Sequence, residues 1–396
     1  AHFWALVSAK SKTPGRQFAA ITDPGTSLEK LARAQKFRWV FLNSPEIGGR
    51  YSVLSYFGMV PAAAAGIDFP AILASAGRMA AASGADVPVE KNPGLWLGAV
   101  LGELAKGGRD KLTLLLSPKI ATFGYWVEQL IAESTGKQGR GIVPVEGEAI
   151  GPPGEYGRDR LFVYIRMTDE PEHRRVRALE TAGMPIITLS LPDRVDIGGE
   201  FLRWELATAI AGSVLKIDPF DQPNVQESKD NTKKVLAAYL KAGNLPATPA
   251  VAASESAAAL RRLFAKLKPG SYLALMAYTG RSAVSERAIA RIRTAARAAR
   301  KVATTAGYGP RFLHSTGQLH KGGPPVGVFL QIVQDDTVDV PIPGQPYGFS
   351  TLKQAQAIGD LQSLESRRLP VLRVSIGRNH SRGWGELVAA AEEALR

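Results

Sequence analysis

Short apolar runs of strand length recur along this chain, each followed by a stretch of helical spacing. That alternation restricts it to parallel sheets covered by helices. Gln17–Thr22 (QFAAIT) reads as a buried strand, and Arg38–Asn43 (RWVFLN) as its neighbour. Lys111–Leu116 (KLTLLL), RLFVYIRM from Arg160 and PIITLSL from Pro185 form a second group. YLALMAY, VGVFLQIV and VLRVSI, beginning at Tyr272, Val326 and Val371, form a third. Helices are expected after Asp23, with Thr26 or Ser27 as cap and Glu29 in the first turn, and over 69–83, 121–134, 171–183 and 200–215. The two prolines of KIDPFDQPN end the last of these. Further helices are expected over 225–241, 285–304, 350–366 and 383–395. Asn92–Gly94 reads as a turn-rich boundary, 139–157 as a loop, and GNLPATPAVAASES over 243–256 as a connector. The α/β alternation therefore divides into 1–90, 91–245 and 246–396.

Composition removes several function classes. A chain of 396 residues exceeds one ordinary core, and 45% hydrophobic with 21% charged residues is a globular balance. The richest apolar stretch, near Met59 to Ile67, is broken by Pro61 and Gly66, so no membrane span is expected. No charged segment followed by an apolar one opens the chain as a secretory signal would. The absence of cysteine excludes disulfides, thiolate metal sites and cysteine nucleophiles, and fits a cytoplasmic enzyme. A net charge of +13 would attract phosphorylated substrates and nucleic acid alike. Its lysines and arginines are scattered, however, often on helix faces such as Arg291, Arg293, Arg297 and Arg300. No basic run is interleaved with aromatics, so no nucleic-acid partner is expected.

Glu46–Gly58 reads EIGGRYSVLSYFG, where Gly48 and Gly49 would let backbone approach a ligand while Arg50 reaches an anion. Alone, the triplet is a weak signal, better explained by a structural turn. The longer string resembles the GGRYS signature of phosphoglucose isomerases. Leu130–Lys137 (LIAESTGK), preceded by Trp126 and Gln129, is similar to that family's acidic segment. Pro219–Lys229 (PFDQPNVQESK) is similar to its glutamine-and-lysine segment, departing from the pattern at Asn224 and Gln226. Those departures resemble the transaldolase-fused branch of the family. The family's histidine lies between the acidic and lysine segments, where this chain has only His173, in a charged helix. Phe312–Gly323 (FLHSTGQLHKGG), with His314 followed by Gln318, resembles the histidine segment but comes after the lysine segment. The string GPRFLHSTGQLHKGGP again resembles the transaldolase-fused branch.

The resemblance implies a three-layer α/β fold of sugar isomerase (SIS) type parallel-sheet domains. On that reading 1–90 is a truncated remnant of the first domain, 91–245 the second, and 246–396 a C-terminal α/β domain. It implies interconversion of glucose 6-phosphate and fructose 6-phosphate through an enediolate, without a cofactor. Glu133 would be the base that moves the proton between C2 and C1, and Arg50 would stabilise the enediolate. His314 and Lys229 would open the ring, and Gln222 and Gly49 would bind substrate. Bland readings stand beside these: Glu133 on a solvated helix end, Arg50 in a surface ion pair, Lys229 as an exposed helix charge, His314 in a loop. His314 and His320 lack a third ligand at metal spacing, so no metal is expected. The expected partner is the sugar phosphate, and the resemblance allows a homodimer. The family's phosphate-binding loop would precede QFAAIT by a helix, inside which this chain begins. Ser11, Lys12 and Thr13 read as an ordinary polar connector. The phosphate loop and a transaldolase domain are thus expected to be missing, and this chain is expected to bind phosphorylated sugars poorly and to isomerise them slowly or not at all. A non-catalytic sugar-phosphate-binding module is the alternative, distinguished by whether Glu133 acts as a base.

Overall fold

The computed structural model describes residues 1–396, the side chains of Val225 and Ser228 excepted. Two compact units divide the chain. The first comprises 1–97 with 193–207 and 340–349, and the second the remainder.

In the first unit, helix α1 (His2–Ser8) precedes strand β1 (Ala19–Thr22), helix α2 (Ser27–Ala34) and strand β2 (Trp39–Leu42), then helices α3 (Tyr56–Ala64) and α4 (Phe69–Ala82). The cap of α2 is Thr26, whose hydroxyl accepts from the Glu29 amide at 3.3 Å. Glu29 closes the turn by accepting from the Gly25 amide at 2.7 Å and from Arg33 at 2.8 Å, and these bonds hold its carboxyl below the usual range. The turn brings β1 and β2 side by side in parallel, Ala19 opposite Trp39 and Thr22 opposite Leu42. Phe37 stacks on both Trp4 and Phe18, and the three ring centroids lie 5.2–5.8 Å apart.

Helix α5 (Pro93–Lys106), which the sequence reading passed over, leads to strand β3 (Lys111–Leu116) and helix α6 (Phe123–Thr135). Strand β4 (Val143–Val145) follows, inside the stretch expected to be a loop. Strand β5 (Arg160–Met167), helix α7 (Arg174–Thr181), strand β6 (Ile186–Leu191) and helices α8 (Ile197–Leu215) and α9 (Pro223–Ala242) come next. The sheet order is β4-β3-β5-β6, every pair parallel. The expected connector contains strand β7 (Val251–Ala252), after which come helix α10 (Ala257–Phe264), strand β8 (Tyr272–Tyr278) and helix α11 (Ala283–Arg300). The helix expected over 285–304 stops at Arg300, and Ala303–Tyr308 is strand β9. Helix α12 (Thr316–Gly322), strand β10 (Gly327–Val333), helix α13 (Phe349–Ser366), strand β11 (Val371–Ser375) and helix α14 (His380–Leu395) complete the chain. This sheet is also wholly parallel, in the order β7-β11-β10-β8-β9.

Strands of the five-stranded sheet are apolar on both faces because both faces are covered. Leu273, Leu275, Val328, Leu330 and Ile332 pack with Leu260, Phe264, Ile292 and Leu387 of α10, α11 and α14. The opposite face, with Tyr272, Ala274, Met276, Tyr278 and Phe329, packs with Phe312, Leu319, Ala357 and Leu364, and with Ala132 of α6 and Val143 and Val145 of β4. That second cluster is one core shared by both halves of the unit. A buried ion pair reinforces it: Arg160 meets Glu148 at 3.0 Å, and Glu148 accepts from the amide and hydroxyl of Thr304 on β9 at 3.0 and 2.6 Å. Removing one partner would strand a buried charge. The fold class is therefore α/β with parallel sheets.

Candidate active site

Three of the singled-out segments meet in the second unit. Helix α6 runs through LIAEST and ends at Thr135, whose hydroxyl donates to the Ile131 carbonyl at 2.8 Å and accepts from the Ile142 amide at 2.9 Å. The chain then turns sharply. Lys137, 2% exposed, sends its ammonium to the Asp221 carboxylate at 2.5 Å and to the Asp218 carbonyl. Arg140 donates to the Leu215 carbonyl at 2.6 Å. Two cations from the exit of α6 thus pin the end of α8 and the loop Lys216–Gln222 that leads into α9.

Helix α12 closes the arrangement through Gln318, which is fully buried. Its amide nitrogen donates to the Gly136 carbonyl at 2.9 Å and to the Asn224 side-chain oxygen at 2.8 Å, and its oxygen accepts from the Asn224 amide at 2.9 Å. The Gly139 amide donates to the Gly322 carbonyl at 2.9 Å. Approach is too close for side chains at two points. A Cβ at Gly136 would stand 2.4 Å from Leu319 Cα, and one at Gly322 would stand 2.4 Å from Asn224 Oδ1. The outer shell is ionic. Lys321 and Asp360 meet at 2.7 Å with both side chains buried, and Arg367 grips Glu227 through both guanidinium ends while its Nε donates to the Lys321 carbonyl at 2.9 Å. That grip holds the Glu227 carboxyl below its usual range.

Glu133 lies in the last turn of α6, 9% exposed, and accepts from Gln129 one turn earlier at 3.3 Å. The solvated-helix-end reading of this residue is therefore wrong. Gln222 is exposed at the N-cap of α9, with Lys229 exposed two turns further on. His314 is exposed at the end of the turn Arg311–His314, ahead of α12. The structure thus joins the segments that carry Glu133, Gln222, Lys229 and His314 through backbone and side-chain bonds. Of those four side chains, Glu133 alone is buried.

Gly49 and Arg50 belong to the first unit, on the turn Gly49–Tyr51. Arg50 is 3% exposed, with its guanidinium 5.4 Å from the Tyr51 ring, so it is buried and does not lie on the surface. The Ser52 hydroxyl donates to the Gly49 carbonyl at 2.6 Å. No atom lies within 4 Å of where a Cβ at Gly48 or Gly49 would stand, so packing does not explain these glycines and the backbone is open to close approach.

His320 is a core residue. It is boxed by Tyr272, Phe312 and Phe329, and neither ring nitrogen has a hydrogen-bond partner. Burial pushes its pKa down to about 3, so it stays neutral. His173 caps α7 by accepting from the Arg175 amide at 3.2 Å. Sequence reasoning missed Lys137 and Gln318 as organising residues although both lie inside the quoted strings. Their signal would have been polar side chains embedded where the neighbours are apolar or small. Among the described residues, no helix is long and apolar enough to cross a membrane.

No family model matches the chain. It is 31% identical over 261 residues to a Symbiobacterium thermophilum protein named glucose-6-phosphate isomerase, covering 56% of this chain and 58% of that one. A Lactobacillus helveticus protein of the same name is 31% identical over 262 residues, with the same coverage of each chain. The chain therefore spans about 58% of the length of these curated relatives. Among solved structures, a hypothetical protein from Thermus thermophilus matches 60% of this chain and 67% of its own, with a TM-score of 0.53 and 24% identity, a likeness of fold.

Proposed function

We propose that this chain carries the centre of an aldose–ketose isomerase acting on glucose 6-phosphate and fructose 6-phosphate. The observation that carries the reading is the set of bonds made by Gln318, which draws the glutamate, lysine and histidine segments into one place. The similarity to proteins named glucose-6-phosphate isomerase supports the substrate class. In this reading Glu133 removes the proton from C2 of the opened aldose and returns it to C1, and the enediolate between the two steps leans on the Arg50 guanidinium. His314 and Lys229 exchange protons with the ring oxygen and the C1 hydroxyl to open and close the ring. Gln222 and the Gly49 backbone hold substrate oxygens. Burial of Glu133 suits this role, because a base shielded from water need not shed a full hydration shell to reach carbon.

The finer reading is that of a cytoplasmic enzyme of the transaldolase-fused branch, able to pair as a homodimer. The string GPRFLHSTGQLHKGGP and the departures at Asn224 and Gln226 support the branch. A coupled assay of fructose 6-phosphate conversion tests the proposal. The 396-residue chain should show turnover above background, and Glu133→Gln should lower it by a factor on the order of 10²–10⁴. Turnover unchanged by E133Q would leave the non-catalytic binding module as the better reading.

A further inference from the structure

A cavity of about 370 Å³ lies at the N-terminal end of α6. Tyr125, in the first turn of that helix, is one wall; Glu146, Arg281, Arg293, Tyr308 and Arg311 line the rest. Tyr125 and Glu133 are eight residues apart, about 12 Å along the helix axis. Glu133, Gln222, Lys229 and His314 do not line this cavity.

Two guanidiniums are gathered on one ring. Arg311 lies 5.3 Å and Arg281 5.6 Å from the centroid of Tyr125, and Arg281 also donates to the Tyr125 hydroxyl at 2.9 Å. Arg281 retains one counter-charge, Glu286 at 3.1 Å. Among the described residues Arg311 makes no hydrogen bond or ion pair, so its donors are available to a ligand. Arg293 is buried and already donates to the Glu146 carbonyl at 2.7 Å and to Thr304 at 3.1 Å, placing a fixed positive charge in the floor. Glu146 has no hydrogen bond to its carboxylate among the described residues, which leaves acceptors facing the same space. The neighbouring acid, Glu128, accepts from Ser315 at 3.2 Å, and burial beside Glu146 lifts it to about 7. Near neutral pH the three carboxylates Glu128, Glu146 and Glu286 therefore do not fully offset Arg281, Arg293 and Arg311.

Two arginine forks on one aromatic platform suit a dianion better than a monoanion, since each fork can take two oxygens. Free carboxylate acceptors suit hydroxyl donors, and the volume is that of a small-metabolite site. We propose that this cavity binds a small phosphate monoester carrying hydroxyls, its phosphate held between Arg281 and Arg311 and its hydroxyls donating to Glu146. The proposal does not depend on the isomerase reading.

The test is isothermal titration of the 396-residue chain with glycerol 3-phosphate, alongside glycerol and inorganic phosphate. Wild type should bind glycerol 3-phosphate, inorganic phosphate more weakly, and glycerol not measurably. Arg311→Gln and Arg281→Gln should each weaken glycerol 3-phosphate binding by about tenfold or more, the scale of a lost charge-assisted bond. Arg50→Gln and Glu133→Gln should leave it unchanged. Arg311 is exposed and packs on a ring alone, so R311Q should also melt at the wild-type temperature. No binding to wild type, equal binding to R311Q and R281Q, or a loss confined to R50Q would each overturn the proposal.

Discussion

Gln318 and Glu128 show how single buried polar groups on and around α6 control its surroundings. Gln318 satisfies three partners at once, so Gln318→Leu would leave the Gly136 carbonyl and both Asn224 groups without bonds in the interior. Each unmade bond costs about 1–3 kcal/mol, and a loss of a few kcal/mol in urea unfolding is expected. Wild-type stability in Q318L would contradict the role assigned to it. Glu128 makes a pH prediction. Its folded carboxyl titrates near 7 and its unfolded one near the ordinary 4.5, so between those values the folded state holds more protons. Stability from this residue is therefore highest at and below about pH 4.5 and is lost as pH rises through 7. Glu128→Gln, which never charges, should gain in melting temperature relative to wild type as pH goes from about 5 to about 8. A difference between the two proteins that stays constant over that range would contradict the assignment.

At the scale of elements, the close crossing of α6 and α12 is set by absent side chains. Gly136→Ala would place a methyl group 2.4 Å from Leu319 Cα and 2.8 Å from the Ala132 carbonyl, both backbone atoms that cannot step aside. Overpacking of this kind costs about 1–3 kcal/mol, and chemical denaturation should show it. An unchanged midpoint would mean that the two helices are not held in this contact. Most elements were legible because their apolar runs are long: β3, β5, β8 and β10 were read at nearly their observed bounds. The misses have physical causes. Strand β4 is three residues with Pro144 at its centre, set among glycines and prolines, and it exists because β3 offers it a partner. Strand β9 was read as the tail of α11 because the stop between them is Lys301 in the left-handed region, φ 54°, where no glycine announces the turn. The sequence reading assigns no element to helix α5, which carries Gly94, Gly98 and Gly102. At Gly102 the absent side chain lets α8 approach, with Val214 2.6 Å from where a Cβ would be.

For the whole molecule, the parallel α/β character followed from periodicity alone, whereas the site did not. Periodicity says where Glu133 sits on a helix but not that Gln318, far along the chain, ties that helix to Asn224. That contact is tertiary, and only the quoted strings hinted at it. Arg50 lies on a buried turn of the first unit, and the glutamate, lysine and histidine segments lie in the second. The central claim is that Glu133 moves a carbon-bound proton in a sugar phosphate. The most direct measurement is deuterium incorporation at C2 of glucose 6-phosphate incubated with the chain in heavy water, followed by proton NMR. Wild type should wash the C2 proton into solvent faster than an enzyme-free control, with Glu133→Gln reduced to the control rate. Equal exchange by wild type and E133Q, or none by wild type, would contradict the account.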